Sequence, residues 1–187
     1  MKIIFYGTRD YDHLYLDVLA ADPDYGCTIK FLAANLDPDT AQLAAGGDAV
    51  CAFVNSDCGA ETLSVLAKAG IKLLLMRCAG YNNVDLTAAK ANGITVMRVP
   101  GYSPEAVAEH AMALLMELTR HAGALDMQVK QGDWDGADGF ELFGKKLGII
   151  GLGGIGQTVA GIANAFGMKV SAWNSHVPAQ VFENLNV

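Results

Sequence analysis

The run Lys146-Leu147-Gly148-Ile149-Ile150-Gly151-Leu152-Gly153-Gly154-Ile155-Gly156 constrains this chain more than any other, because a short apolar strand passes directly into G-x-G-x-x-G and then a helix. In that setting the glycines have separate physical tasks. Gly151 permits a tight turn, Gly153 lets the backbone approach a pyrophosphate, and Gly156 lets the helix pack closely on the strand. The helix N-terminus directs free N–H groups, those of Gly154 and Ile155 among them, at the phosphates. The spacing therefore predicts a dinucleotide site. Only 31 residues follow Gly156 in a chain of 187, too few for a whole nucleotide-binding sheet, so this part is expected to be incomplete.

Hydrophobic residues make up 52% of the chain, ample for packed cores. The formal charge of −7 comes without any Lys/Arg-rich run, which argues against nucleic acid or an anionic membrane surface and for a small soluble ligand. The apolar start Met1–Tyr6 is soon interrupted, and no stretch of 18 uncharged apolar residues occurs, so neither a signal peptide nor a membrane span is expected. Cys27, Cys51, Cys58 and Cys78 lack C-x-x-C spacing and any zinc ligand set. Reduced thiols in a cytoplasm fit them, with Cys51 and Cys78 as small buried hydrophobes in or at the ends of strands.

Short apolar runs at 2–6, 27–32, 49–54, 71–76 and 94–99 alternate with segments around 10–21, 39–45, 60–69 and 85–92 that are long enough for crossover helices. The pattern predicts an α/β protein with a flavodoxin-like parallel sheet over residues 1–100, its near-continuous apolar strands covered on both faces. Ser103-Pro104-Glu105 then reads as an N-cap, a proline at the first helical position and an acid in the first turn. The helix it opens should run to about residue 121 and pack between domains or against another subunit, with Gly123 weakening its continuation. The turn-rich segment 132–139 is the expected approach to the first βαβ unit of a Rossmann domain. Helix 155–166 and strand 168–173 complete that unit and leave an apolar edge and face uncovered. Asn174, eighteen residues after Gly156, stands where an acidic residue normally meets the adenosine ribose. It can accept one bond but lacks the charge that repels a 2′-phosphate, so NAD is expected and NADP is not excluded. Ser175 and His176 read as solvated turn residues.

Arg77-Cys78-Ala79-Gly80-Tyr81-Asn82-Asn83-Val84-Asp85, the segment Arg98 to His110, and Gly151 to Gly156 together resemble the D-2-hydroxyacid dehydrogenase family, closest to its fermentative D-lactate branch. The resemblance spans nearly the whole chain in order and spacing. It implies an NAD-dependent oxidoreductase acting on a small 2-keto or 2-hydroxy acid, a homodimer, and catalysis in a cleft between two domains. Residues 1–100 would be the substrate domain, 101–122 an interdomain helix and 123–187 the nucleotide domain. By the same resemblance, backbone N–H groups at Ala79 and Gly80 hold the substrate carboxylate and Tyr102 lines the pocket. The cofactor lies on Gly151, Gly153, Gly154, Ile155, Gly156 and Asn174.

The family's catalytic arginine, glutamate and histidine correspond to positions beyond Val187, so no catalytic residue is expected within the chain. Neither turnover by these 187 residues alone nor a metal centre is expected. His110 beside Glu109 is no acid-paired histidine, because adjacent helical positions point about 100° apart. His13 and His121 have no suggestive partners. Arg77 could lend positive potential to the 79–80 loop or form a structural ion pair. The alternative to an enzyme is an inactive nucleotide-binding or dimerisation fragment.

Overall fold

Aliphatic and β-branched runs suit a pleated, half-buried surface, and five of them form β1 (Lys2–Tyr6), β2 (Thr28–Leu32), β3 (Ala49–Ala52), β4 (Leu73–Met76) and β5 (Thr95–Arg98). The computed structural model describes residues 1–187. All neighbouring strands pair in parallel, in the order β2-β1-β3-β4-β5. This is the flavodoxin-like order that the alternating pattern predicts. The helices α1 (Asp10–Ala21), α2 (Ala60–Lys68) and α3 (Leu86–Ala91) connect the strands. The β2–β3 crossover, expected as a helix over 39–45, holds only a 3-10 turn at Ala41–Ala44. Asp37 and Thr40 bond each other's backbone before it, and Gly46 at φ 77 ends it.

The core of this first unit, Met1–Tyr102, is built from alternate residues of the central strands. Ile4, Tyr6, Val50, Ala52, Leu74 and Met76 meet Leu63 and Leu66 of α2 and Ala89 of α3. Sheet cover is not complete on both faces as expected. Only β3 is buried throughout, whereas β5 is largely exposed and α1 leaves Leu14 72% and Tyr15 71% exposed. Strand apolarity reports what could be buried, and whether a helix lies over it is decided by tertiary packing.

Arg77, at the end of β4, takes the structural role of the two left open. Its Nη1 lies 3.5 Å from the buried carboxylate of Asp12 on α1, and its Nη2 donates to Gly7 O at 2.9 Å. Its guanidinium sits 4.8 Å from the ring centre of Phe5 and 4.7 Å from that of Phe53. Arg77→Met is therefore expected to cost this unit about 2–3 kcal/mol, because it leaves the buried Asp12 carboxylate with only the Arg9 N–H as donor. Hydrogen exchange of the β1 and β4 amides measures it. A loss below about 0.5 kcal/mol, the range of ordinary surface changes, would contradict this role.

The second unit, Ser103–Val187, opens with α4 (Pro104–Arg120), whose N-cap Ser103 accepts from Ala106 N as the sequence predicts. His121 adopts the left-handed conformation, φ 53, and ends it. Gly123 does not stop helix formation: α5 (Ala122–Lys130) follows at once, with Gly123 N donating to the Glu117 carboxylate at 2.9 Å. Residues 133–141 carry no regular structure. Next come β6 (Lys146–Ile150), α6 (Gly154–Ala165), β7 (Lys169–Trp173) and the short α7 (Ala179–Asn184), with β6 and β7 parallel. Leu142, Ala163 and Met168 form the core here, with Leu115, Met116, Leu147 and Val170 against it. The other face of β6–β7 is open, with Ile150 89% and Trp173 65% exposed as a paired couple. No helix is long and apolar enough to cross a membrane.

Candidate functional site

In the first unit, the sequence-predicted carboxylate loop begins where β4 ends, at the C-terminal edge of a parallel sheet, the side on which such sheets bind ligands. Ala79 is half-buried, Gly80 is exposed, and space around Gly80 is open. The N–H groups of Ala79, Gly80, Tyr81 and Asn82 donate to no acceptor within the chain. Consecutive free amides are able to receive an anion. The loop is held from behind: Asn83 Nδ2 donates to Phe53 O and Ser56 O at 3.1 and 2.9 Å, and Cys58 N donates to Asn83 O.

Tyr102 follows the neighbouring strand β5, and Val99 N donating to Cys78 O at 3.1 Å ties the two loops together. Tyr102 is 68% exposed, so its ring is available at the same sheet edge as Ala79 and Gly80. One participant escaped sequence reading. Arg98, the last residue of β5, donates from Nη1 to Ala79 O at 2.9 Å, and its guanidinium lies 5.2 Å from the Tyr81 ring centre. The signal was a cation ending the strand beside the loop's strand, but nothing local says which carbonyl it reaches.

In the second unit the glycine turn has the shape its spacing predicts. Gly151 has φ 100, a conformation that L side chains rarely adopt, and its N–H donates to Trp173 O at 2.8 Å. A Cβ on Gly156 would lie 2.1 Å from Gly151 O and 3.4 Å from Ile149 Cγ2, so only glycine lets α6 approach β6 this closely. Space around Gly153 is open, and Gly154 has only Pro104 side-chain atoms near it, the closest at 3.7 Å. The amides of Gly153, Gly154, Ile155 and Gly156 have no acceptor in the chain, as expected where a helix starts. Open space above free N–H groups fits a pyrophosphate. Asn174 ends β7 as expected, but its Oδ1 already accepts from His176 N at 2.9 Å, in an Asx turn. Its amide NH2 thus remains as donor, and one lone pair of the oxygen as acceptor.

The other singled-out residues stand apart from these loops. His13 bonds Asp17 on exposed α1, and His110 and Glu109 are exposed on α4. All four cysteines are free. Burial pushes the Cys51 and Cys58 thiols up to about 12, and raises Cys78 as well. A thiol held protonated is a poor nucleophile. No three His, Cys, Asp or Glu side chains gather as metal ligands.

Comparison with known proteins identifies the family. Residues 6–181 match the family described as D-isomer specific 2-hydroxyacid dehydrogenase, catalytic domain. The D-lactate dehydrogenase of Escherichia coli (strain K12) is 40% identical over 185 residues, 98% of this chain and 56% of that protein. The apo-structure of D-lactate dehydrogenase from Escherichia coli aligns with a TM-score of 0.89 at 39% identity, covering 100% of this chain and 58% of that one. A crystal structure of D-lactate dehydrogenase with NAD+ from Lactobacillus jensenii aligns at 0.71 and 31% identity, covering 97% and 56%. The chain thus spans about half the length of the curated relatives it matches.

Proposed function

The chain belongs to the D-isomer specific 2-hydroxyacid dehydrogenase family, and on that premise we propose that it carries the carboxylate-binding loop and the pyrophosphate turn of an oxidoreductase. The reaction is hydride transfer between NADH and a small 2-keto acid, pyruvate to D-lactate. The single observation behind this reading is the turn at the head of α6. Gly156 admits no side chain there, the amides of Gly153, Gly154, Ile155 and Gly156 have no acceptor in the chain, and the space around Gly153 is open. When bound, the nicotinamide cofactor supplies the hydride. The Ala79 and Gly80 amides hold the substrate carboxylate, and Tyr102 borders the pocket. Residues 1–100 serve as substrate domain, 101–122 as interdomain helix and 123–187 as nucleotide domain. Asn174 carries no charge to repel a 2′-phosphate, so NADPH is the comparison ligand for NADH. Val107, Leu114 and Leu118, exposed along α4, support a homodimer as the assembly, and the free thiols support a reducing, cytoplasmic setting.

Reducing a keto acid also needs a proton donor and a cation on the carbonyl. Arg77 is engaged by Asp12 and Gly7 O, and His13 by Asp17. The 187-residue chain is accordingly expected to bind NADH, read by quenching of Trp173, without oxidising it when pyruvate is added. Absence of NADH binding would overturn the proposal. Pyruvate-dependent oxidation above a no-protein blank would place the acid and the cation within residues 1–187. A second reading, an inactive binding or pairing module, is favoured by the open Ile150–Trp173 face. Its signature is a stable oligomer in which the Ala79 and Gly80 amides do not respond to pyruvate.

A further inference from the structure

The loop after β4 presents its amides because its carbonyls are held, one after another, from the opposite side. A trans peptide is planar, so the C=O of one residue and the N–H of the next point in opposite directions. Fixing a carbonyl therefore aims the following amide. Cys78 O accepts from Val99 N at 3.1 Å, which aims the Ala79 N–H. Ala79 O accepts from Arg98 Nη1 at 2.9 Å, which aims the Gly80 N–H. Gly80 O accepts from Cys78 Sγ at 3.2 Å, and Tyr81 O from Val84 N at 3.0 Å. Only one of these four carbonyls is held by a charged side chain.

On the reading of this loop as the carboxylate site, we infer that Arg98 is the positioning residue for the Gly80 amide. Its guanidinium fixes the plane of the Ala79–Gly80 peptide. A charge-assisted bond to Ala79 O also polarises that peptide and makes the Gly80 N–H a stronger donor to an anion. Two features hold Arg98 in place. The register sets it opposite Met76, so its side chain leaves β5 beside the strand from which the loop departs. The Tyr81 ring, 5.2 Å away, stacks against the guanidinium from within the loop itself. The same cation adds positive potential where the substrate carboxylate would sit, without touching it. Lysine cannot reproduce this arrangement, since it carries a point charge in place of a planar fork.

The test uses the full 187-residue chain, labelled with 15N and 13C, titrated with pyruvate while the Ala79 and Gly80 amides and the Ala79 carbonyl carbon are followed by NMR. In the wild type, pyruvate is expected to shift both amides saturably. In Arg98→Met, the pyruvate Kd rises about tenfold, the size of one lost charge-assisted bond. The Ala79 carbonyl resonance moves even without ligand, which a loss of general stability would not produce. Arg98→Lys recovers part of the affinity. An unchanged Kd and an unchanged Ala79 carbonyl in Arg98→Met would overturn the inference and leave the carboxylate loop standing. A wild-type Gly80 amide that ignores pyruvate would overturn both. If Arg98→Met does not fold, Arg98→Gln is judged by the same two criteria.

Discussion

Gly156→Ala is expected to destabilise the second unit by about 3–5 kcal/mol, at the upper end of what overpacking and backbone displacement cost, and to abolish NADH binding. A methyl group there would lie 2.1 Å from Gly151 O and 3.1 Å from Gly151 C. Neither is the end of a flexible side chain. The turn that would have to move is itself pinned, since Gly151 N donates to Trp173 O and Gly151 needs a positive φ. Helix α6 must therefore lift from β6 or the turn must open, and either change disperses the amides of Gly153 to Gly156. Trp134 and Trp173 are the chain's only tryptophans and both lie in this unit, so urea unfolding followed by tryptophan fluorescence reads it selectively. Gly154→Ala is the control. Its new methyl would meet Pro104 Cβ at an ordinary 3.7 Å, and a change within about 0.5 kcal/mol is expected. Equal midpoints for the two variants would refute the close-approach argument.

The second large effect belongs to the first unit and to alkaline pH. Burial pushes the thiols of Cys51 and Cys58 from their ordinary 9.0 up to about 12. Burial, with the negative charge of Asp37 second, pushes the Tyr6 hydroxyl from 10.0 up to about 12. In the unfolded chain the thiols release their protons near pH 9, while in the folded unit they keep them to about pH 12. Between those values the unfolded state binds fewer protons, so stability falls as pH rises, by about 1.4 kcal/mol per pH unit for each group. Two thiols make the loss about 3 kcal/mol per unit above pH 9, and Tyr6 steepens it above pH 10. By pH 11 the loss reaches about 7 kcal/mol for the three groups together, comparable with the whole stability of a small domain. Below pH 9 these groups contribute no slope. Urea midpoints from hydrogen exchange of β1 and β3, taken from pH 8 to 10.5, should decline in the wild type and far less in a Cys51→Ala/Cys58→Ala variant. Parallel declines in both would show that other groups govern alkaline unfolding.

Much of this architecture is legible in one dimension because its causes are local. Apolar runs such as KIIFY and AVCAF can bury only as strands when turn residues bound them. Ser103-Pro104-Glu105 carries a capping hydroxyl, a preset φ and an acid at the positive helix end, all within one turn. The glycine turn is legible for the same reason, since it joins a strand and a helix that are adjacent in sequence. α5 was not, because its start depends on His121 in a left-handed conformation and on Glu117 reaching forward to Gly123 N. Nor was the half-engaged oxygen of Asn174, although the Asx turn to His176 is local and could have been read from the residue types.

What the sequence determined by itself is the alternation of strand and helix, the glycine turn and the family pattern, since each follows from propensity and spacing within a few residues. Tertiary structure alone decided which polar groups are left over. Of its two open readings Arg77 took the ion pair when α1 brought Asp12 beside it, and Arg98 reached Ala79 O across nineteen residues of chain. Those assignments depend on distances between strands that are neighbours in space and not in sequence, and hydrogen bonds and charges act only over such distances.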